Sequence, residues 1–509
     1  MEFLGEAVLT GWFTVLLLLS VFGSHRYRLI VSLMRREDQA ERQRKHLAAR
    51  GRPRLAADPP PVLVQLPVYN ERYVVERVIR AAAALDYPKS RLAIQVLDDS
   101  TDDTGAIAEP VIEELAATGL NIRRIHRTDR RGFKAGALQE GMDVSNEPFI
   151  AIFDADFLPR PDFLRSLLPC LLGDGRVGMV QARWSHLNRH FSLLTEVQAI
   201  LLDGHFVAEH GGRHALGAFF NFNGTAGIWR REAILDAGGW AGDTLTEDLD
   251  LSYRAQLRDW RFVFVPAVAA PAELPVSMNA FKAQQRRWAK GSLQTARKLL
   301  PQVLATRLPF RVRLEALFHL TSNVTYPLMT VLSLLMVPAL LVRVRTGLRE
   351  MLVLDLPIFV AATVSVVAFY GVSEARVLRL GGGASAGASG GEGLWRRVGR
   401  IPATLAVGIG LSFSNAAAVL DGVRGRKTPF ARTPKYGVSR RGDRWRGKSY
   451  RTAAGVLPWL EVTCGAALLA ATVFAVFQGV VASAPFLLLF AFGYLYVGGL
   501  SLAERRASG

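Results

Sequence analysis

Cysteine is nearly missing from this chain. Cys170 and Cys464 are the only two among 509 residues, and they lie too far apart in sequence to suggest a disulfide framework or a cysteine-based zinc site. Acids are scarce relative to bases: 44 Asp and Glu against 62 Lys and Arg give a formal net charge of +18. A surplus of that sign first suggests nucleic acid, but the cations crowd beside apolar runs, in RREDQAERQRKHLAAR and RRGDRWRGKSYR. Positive-inside topology accounts for that placement, with anionic lipid headgroups as a contributor. No nucleic-acid partner is expected, because strand recognition would leave the apolar runs unexplained. Ionisable groups are rare within those runs: apart from Asp355 and Glu461 near their ends there are almost none. A proton- or ion-coupled transporter commonly carries such groups along its pathway.

What the chain has in excess is apolar sequence, half of all residues. Runs at 5–23, about 317–342, 352–373, 453–477 and 480–501 approach the roughly 20 residues a spanning helix needs. The first is preceded by Glu2 and Glu6 rather than a basic segment, and no A-x-A-like site comes after it, so it reads as a retained anchor. The expected organisation is an anchor (1–34), a cytosolic domain (35–310), a transmembrane hairpin (311–375), a cytosolic segment (376–450) and a second hairpin (451–509). The first hairpin returns the chain to the cytosol before the Gly/Ser-rich linker GGGASAGASGGEG; 401–420, only moderately apolar and trailed by RGRKTPFARTPK, is expected to lie at the membrane interface. Against this topology stand Arg343, Arg345 and Arg349 in a short external loop.

Between the anchor and residue 310, β-rich runs alternate with helical patterns. PVLVQLPV precedes a helix near 72–85, AIQVLDD one near 103–118, and FIAIFDAD one near 162–172. The alternation predicts βαβ units and a parallel sheet covered by helices, with ligands gathered at the carboxyl ends of its strands. Paired acids fall at two such ends: Asp98 and Asp99 in VLDDSTD, and Asp154 and Asp156 in FDADF. An Asp-x-Asp pair suits a hard divalent cation that completes its oxygen shell with phosphates and water. In TED, Asp248 opens a helix with Thr246 at the N-cap position. In QQRRWAKG, Gln284, Arg287 and Trp288 are spaced i, i+3, i+4 and share one helical face, while Arg286 points elsewhere.

Taken in order, VQLPVYNE, IQVLDDSTDDT, GFKAGAL, FFNFNGTAG, DLDLSYRAQLRDWRF and QQRRW resemble family 2 glycosyltransferases. Within these the stretch is similar to the processive cellulose-synthase superfamily, above all the plant cellulose-synthase-like A glucomannan synthases and their bacterial relatives. FARTPK at 430–435 extends the likeness. The resemblance implies a GT-A-like α/β domain with a Rossmann-like mixed sheet, joined to an α-helical transmembrane region. It implies Asp248 as the catalytic base and Asp154 and Asp156 as holders of Mg²⁺ or Mn²⁺. Asp98, Asp99, Lys134, Gln284 and Arg287 would bind the nucleotide sugar. Trp288, Asn223, Gly224 and Thr225 would meet the acceptor, and Phe430, Thr433 and Lys435 would belong to a gating loop. The implied activity is inverting, processive synthesis and secretion of a β-1,4-linked mannan or glucomannan from GDP-mannose or GDP-glucose. A β-glucan made from UDP-glucose, or single transfers to a lipid, are the alternatives. The implied setting is a multi-pass protein of a bacterial inner membrane or a Golgi membrane, catalytic domain in the cytosol, meeting the growing polysaccharide and the bilayer. Unlike bacterial cellulose synthase, the chain has one anchor before the catalytic domain and no cyclic-dinucleotide domain after it, so that enzyme's regulation and subunits are not carried over.

Overall fold

The structure, a computed structural model, describes residues 2–48, 58–347, 352–381, 393–426, 432–450 and 455–506. Seven strands form one sheet: β1 (Val62–Val68), β2 (Leu92–Asp98), β3 (Asn121–His126), β4 (Phe149–Ile152), β5 (Val177–His186), β6 (Gly227–Arg230) and β7 (Arg261–Ala272), in the order β3-β2-β1-β4-β6-β5-β7. The near-continuous apolar runs of β1 and β4 arise from burial on both faces, as parallel strands require. β3, β2, β1 and β4 run parallel, as the alternation predicts, with the helices Val75–Ala83, Thr104–Ala117 and Phe163–Leu172 near the expected positions. β6 departs from that expectation. It pairs antiparallel with both β4 and β5, which breaks the parallel alternation and makes the sheet mixed, as the resemblance implies. The chain reaches four-residue β6 from β5 through the helices Leu193–Asp203 and Gly211–Leu216, and β6 then lies between β4 and β5.

One apolar core lies on each face of the sheet. The first gathers Val64, Leu66, Val78, Ile79 and Phe163; the second Leu63, Leu138, Ile150, Trp229 and Leu251. Because the crossovers after β1, β2 and β4 turn at the same edge, Tyr69, Asp99 and Asp154 come to one rim.

Among the described residues, four helices are long and apolar enough to cross a membrane, Phe3–Arg35, Phe310–Thr346, Leu457–Phe477 and Val481–Arg505, or five if a bent pair at 394–423 is one span. The chain is a membrane protein. Trp12 and Leu16 pack on Leu332 and Met336, and Phe490 and Tyr494 on Leu468 and Ala471. Tyr494 Oη donates to Ser333 Oγ at 2.7 Å and meets Ser412 Oγ at 2.7 Å, so this buried hydroxyl is satisfied between helices. The first helix continues through Ala48 without a break at residue 34. Arg343 belongs to the end of the helix Thr325–Thr346 and not to a loop; it is buried against the rings of Trp12 and Phe13, 5.6 and 5.8 Å away. The run at 352–373 falls within one helix, Leu352–Gly381.

Residues 401–420 fall in two helices, Ile401–Gly410 and Ser412–Val423; Leu394–Gly410 meets Ser412–Val423 at a bend of 48°, and the two together are long and apolar enough to cross a membrane. One end of the pair touches the sheet domain and the other the long helix Met278–Ala305: Arg400 pairs with Glu196 at 2.8 Å, and Arg297 donates to Val423 O at 3.3 Å. Residues 432–450 then lie on the sheet domain, with Ser449 N donating to Tyr73 Oη at 3.0 Å. In a Cys-free background, a cysteine replacing exposed Arg440 and one replacing exposed Arg258 are therefore expected to share one accessibility to a membrane-impermeant thiol reagent. Labelling of one without the other in sealed cells would show that the segment does not sit on this domain.

Candidate active site

A cleft opens at the carboxyl ends of β1, β2 and β4. It is lined by Tyr69, Glu71, Asp99, Arg130, Lys134, Asp154, Asp156, Asn223, Gly224, Glu247, Asp248, Gln284, Arg287, Trp288, Arg432, Thr433 and Lys435, among others. Residues more than 300 positions apart in sequence thus share one space.

The acids at its floor are held by cations. Lys134 donates to Asp154 Oδ1 at 2.5 Å and to Gly224 O at 2.9 Å. Burial alone would push the Lys134 ammonium down, but Asp154, Glu247 and Asp248 outweigh it and hold the group above its ordinary value. Lys435 donates to Asp156 Oδ2 at 2.6 Å, and Arg432 stands 3.3 Å from Glu71. Burial raises the Glu71 carboxyl to about 8 despite that guanidinium. Among the described residues no three His, Cys, Asp or Glu side chains are placed to hold an ion by themselves. Asp154 and Asp156 offer oxygen donors only, a set that suits Mg²⁺ or Mn²⁺ when phosphate oxygens complete the shell.

Asp248 sits in the first turn of the helix Glu247–Leu257. Thr246 occupies the N-cap position as expected, but it makes no capping bond; its hydroxyl meets Thr295 Oγ1 at 3.3 Å. Asp248 Oδ1 accepts from its neighbour's N–H, Leu249, at 2.8 Å. Its other oxygen faces Gly224, whose φ is +79 and where an added Cβ would come within 3.0 Å of it. Glycine is therefore required at 224 both for the left-handed backbone and for room. Burial, then the neighbouring Glu247 carboxylate, raise the Asp248 carboxyl to about 7.

The helix Met278–Ala305 turns one face to the cleft. Gln284, Arg287 and Trp288 line it; Arg286 does not, and reaches back to Ser414 O at 3.4 Å. Burial pushes the Arg287 guanidinium down, against the pull of Glu247, Asp154 and Asp248.

Other residues named from sequence are separated by the fold. Asp99 lines the cleft, gripped by Arg127 through two bonds of 2.7 and 2.6 Å, whereas Asp98 is turned away toward Arg124 (2.9 Å) and Ser100 N (2.9 Å). Thr225 is fully buried, its hydroxyl accepting from the Asp154 N–H at 2.9 Å, so it steadies Asp154 and does not line the cleft. Asn223 reaches the cleft wall and donates to His205 Nε2 at 2.8 Å. Phe430 lies outside the described residues. Sequence reasoning missed Tyr69 and Glu71, although both stand in the VYNE motif, and Arg130, whose guanidinium lies over the Tyr69 ring at 3.3 Å. Non-glycine residues with left-handed backbone mark the same rim: Asn70 (φ 53), Phe133 (φ 52) and Ala226 (φ 56), each close in sequence to a cleft residue.

A family model described as "Glycosyltransferase like family 2" matches residues 59–291. Glucomannan 4-beta-mannosyltransferase 2 of Arabidopsis thaliana is 45% identical over 252 residues, 49% of this chain and 47% of that protein. Glucomannan 4-beta-mannosyltransferase 1 of Cyamopsis tetragonoloba is 37% identical over 316 residues, 60% of this chain and 59% of that one. The matches thus span about half the length of these curated relatives. A mannosyltransferase of Pyrobaculum calidifontis, solved in complex with GDP-Man and Mn²⁺, is 20% identical with a TM-score of 0.44, covering 71% of this chain and 99% of that chain. Residues 59–291 thus resemble the family 2 glycosyltransferases.

Proposed function

We propose that this protein is an inverting transferase that adds β-1,4-linked mannosyl or glucosyl units from a GDP-sugar to a growing mannan-type chain. In this reading residues 35–310 face the cytosol and the apolar helices carry the product outward. The observation that carries it is the convergence in one cleft of Asp154, Asp156, Lys134 and Arg287, suited to a diphosphate, with Asp248 and Trp288, suited to a sugar acceptor. The names of the relatives at 45% and 37% identity supply the sugar and the linkage.

The nucleotide would lie against Asp99 and the Tyr69 ring that Arg130 covers. Asp98, held by Arg124, would fix the end of β2 rather than touch the base. Asp154 and Asp156 would hold Mg²⁺ or Mn²⁺, which when bound would help neutralise the diphosphate. Lys134 and Arg287 would place fixed positive charge where the leaving group gains negative charge, the arrangement that favours the transition state over the ground state. Asp248 would take the proton of the acceptor hydroxyl on the face opposite the departing nucleotide. Gln284 would contact the nucleotide sugar, and the ring of Trp288 would carry the terminal sugar of the acceptor, whose axial C–H groups pack on an aromatic face, with Asn223 and Gly224 beside it. Lys435 on Asp156 and Arg432 at Glu71 would dock the FARTPK segment over the nucleotide, with Thr433 in the wall.

Incubating the purified protein with radiolabelled GDP-mannose, GDP-glucose and UDP-glucose in detergent is expected to give alkali-stable β-1,4 polymer from the GDP-sugars. Polymer from UDP-glucose alone would overturn the donor assignment, and soluble sugar without polymer the assignment of chain growth.

Asp248→Asn is expected to lower turnover by on the order of 10² to 10⁴ while GDP binding persists, because a proton acceptor is lost and the diphosphate clamp is not. Since the base works only when ionised and its folded value lies near 7, kcat/KM of the wild-type protein is expected to fall as pH drops below about 7. The residual activity of the Asn variant should lack that limb; an unchanged acid limb would exclude Asp248 as the base.

Arg287→Ala is expected to cost far more transfer than Arg286→Ala, and Trp288→Ala to shorten or abolish polymer while leaving GDP binding in place. Equal effects of the two arginines would mean that the helix offers a generic basic surface.

A further inference from the structure

Glu461 is among the few ionisable groups in the apolar runs, and the proposed chemistry makes no use of it. Its carboxylate accepts two bonds from Lys282 Nζ, at 2.7 and 2.8 Å, with both side chains buried. Lys282 stands two residues before Gln284 in the helix Met278–Ala305. At about 100° per residue, Lys282 lies roughly opposite the face formed by Gln284, Arg287 and Trp288. One turn earlier, Glu504 from the last apolar helix closes the start of the same helix. It accepts from Met278 N at 2.6 Å, from Asn279 N at 3.1 Å and from Ser277 Oγ at 2.8 Å. The Asn279 amide adds a bond to Ser501 O at 3.2 Å. A carboxylate here satisfies free N–H groups and complements the positive end of the helix dipole. Both acids come from one hairpin, Leu457–Phe477 and Ala484–Arg506.

We infer that Glu461 and Glu504 are positioning residues: through Lys282 and the first turn they set the rotation and height of the helix, and so aim Gln284, Arg287 and Trp288 into the cleft. An apolar pair in place of Lys282 and Glu461 could pack as well; what a buried ion pair adds is direction, which fixes register. The backbone bonds to Glu504 fix height, and the ion pair on the reverse face fixes rotation. The C-terminal hairpin is thereby a support of the transfer site as well as a membrane element. The inference rests on the role proposed above for the Gln284, Arg287 and Trp288 face.

The test uses the full chain in detergent, with transfer from GDP-mannose to β-1,4-mannotetraose as one readout and hydrogen–deuterium exchange of amides 278–290 as another that needs no substrate. Glu504→Gln and Lys282→Met are expected to speed exchange through the first turn and to lower kcat on the order of tenfold, as small misplacements of reacting groups do, with GDP binding unchanged. Combining Lys282→Glu with Glu461→Lys is expected to restore exchange and kcat toward wild type, which a general loss of stability would not allow. Should Lys282→Met fail to fold, Glu504→Asp, which keeps the charge but withdraws it by one methylene, is expected to shift both readouts in the same direction. Normal kcat and KM in the Glu504 and Lys282 variants, beside an inactive Arg287→Ala, would overturn the inference. A fully active Arg287→Ala would instead overturn the reading of the site face, and the positioning role with it.

Discussion

Charge balance in the cleft is the constraint on which the rest of the site depends. Glu71, Asp99, Asp154, Asp156, Glu247 and Asp248 share one enclosed rim, where carboxylates repel and burial disfavours their ionised forms. The fold meets this by drawing in cations from separate places: Lys134 from the helix after β3, Arg287 from the long helix after β7, and Arg432 and Lys435 from the segment between the bent helix pair and the C-terminal hairpin. Asp99 is answered locally, by Arg127. A nucleotide diphosphate and a divalent ion entering this space would meet groups already paired, so binding exchanges one set of ion pairs for another and does not bring bare charges together.

That balance ties the membrane part to the catalytic part. Lys435 lies 279 positions from Asp156, and the two meet only because the bent pair Ile401–Gly410 and Ser412–Val423 returns the chain to the sheet domain. Helix pairs approach closely where side chains are small: Gly410 and Gly493 leave no room for a Cβ on either side. The helix Met278–Ala305 stands between, with Gln284, Arg287 and Trp288 toward the cleft and Lys282 toward the C-terminal hairpin. Site and membrane helices therefore share one rigid element.

Much of the site was legible in the sequence because its signals are local. β1, β2 and β4 are short apolar runs with polar residues directly after them, and the crossovers from these parallel strands bring those polar residues to a common rim. The i, i+3, i+4 spacing of Gln284, Arg287 and Trp288 needs only helical geometry to put them together and Arg286 away. The antiparallel insertion of β6 was not legible, because strand direction depends on the partner and β6 has only four residues with which to signal it.

What the sequence by itself determined is therefore which residues stand at strand ends, which share a helical face and which runs are apolar enough to cross a membrane, since each depends on a window of a few residues to about 20. Tertiary structure alone decided which of two adjacent acids faces the cleft: Asp98 and Asp99 alternate sides at the end of β2, and Arg124 and Arg127 hold one away and one toward it. It decided that Thr225 serves the Asp154 backbone, that Lys435 answers Asp156, and that Glu461 and Glu504 hold the site helix from behind. These pairings join residues 71 to 279 positions apart in the chain, and no local pattern encodes which distant charge will neutralise a buried one. Only packing selects the partner, by burying both charges where neither can stay unpaired.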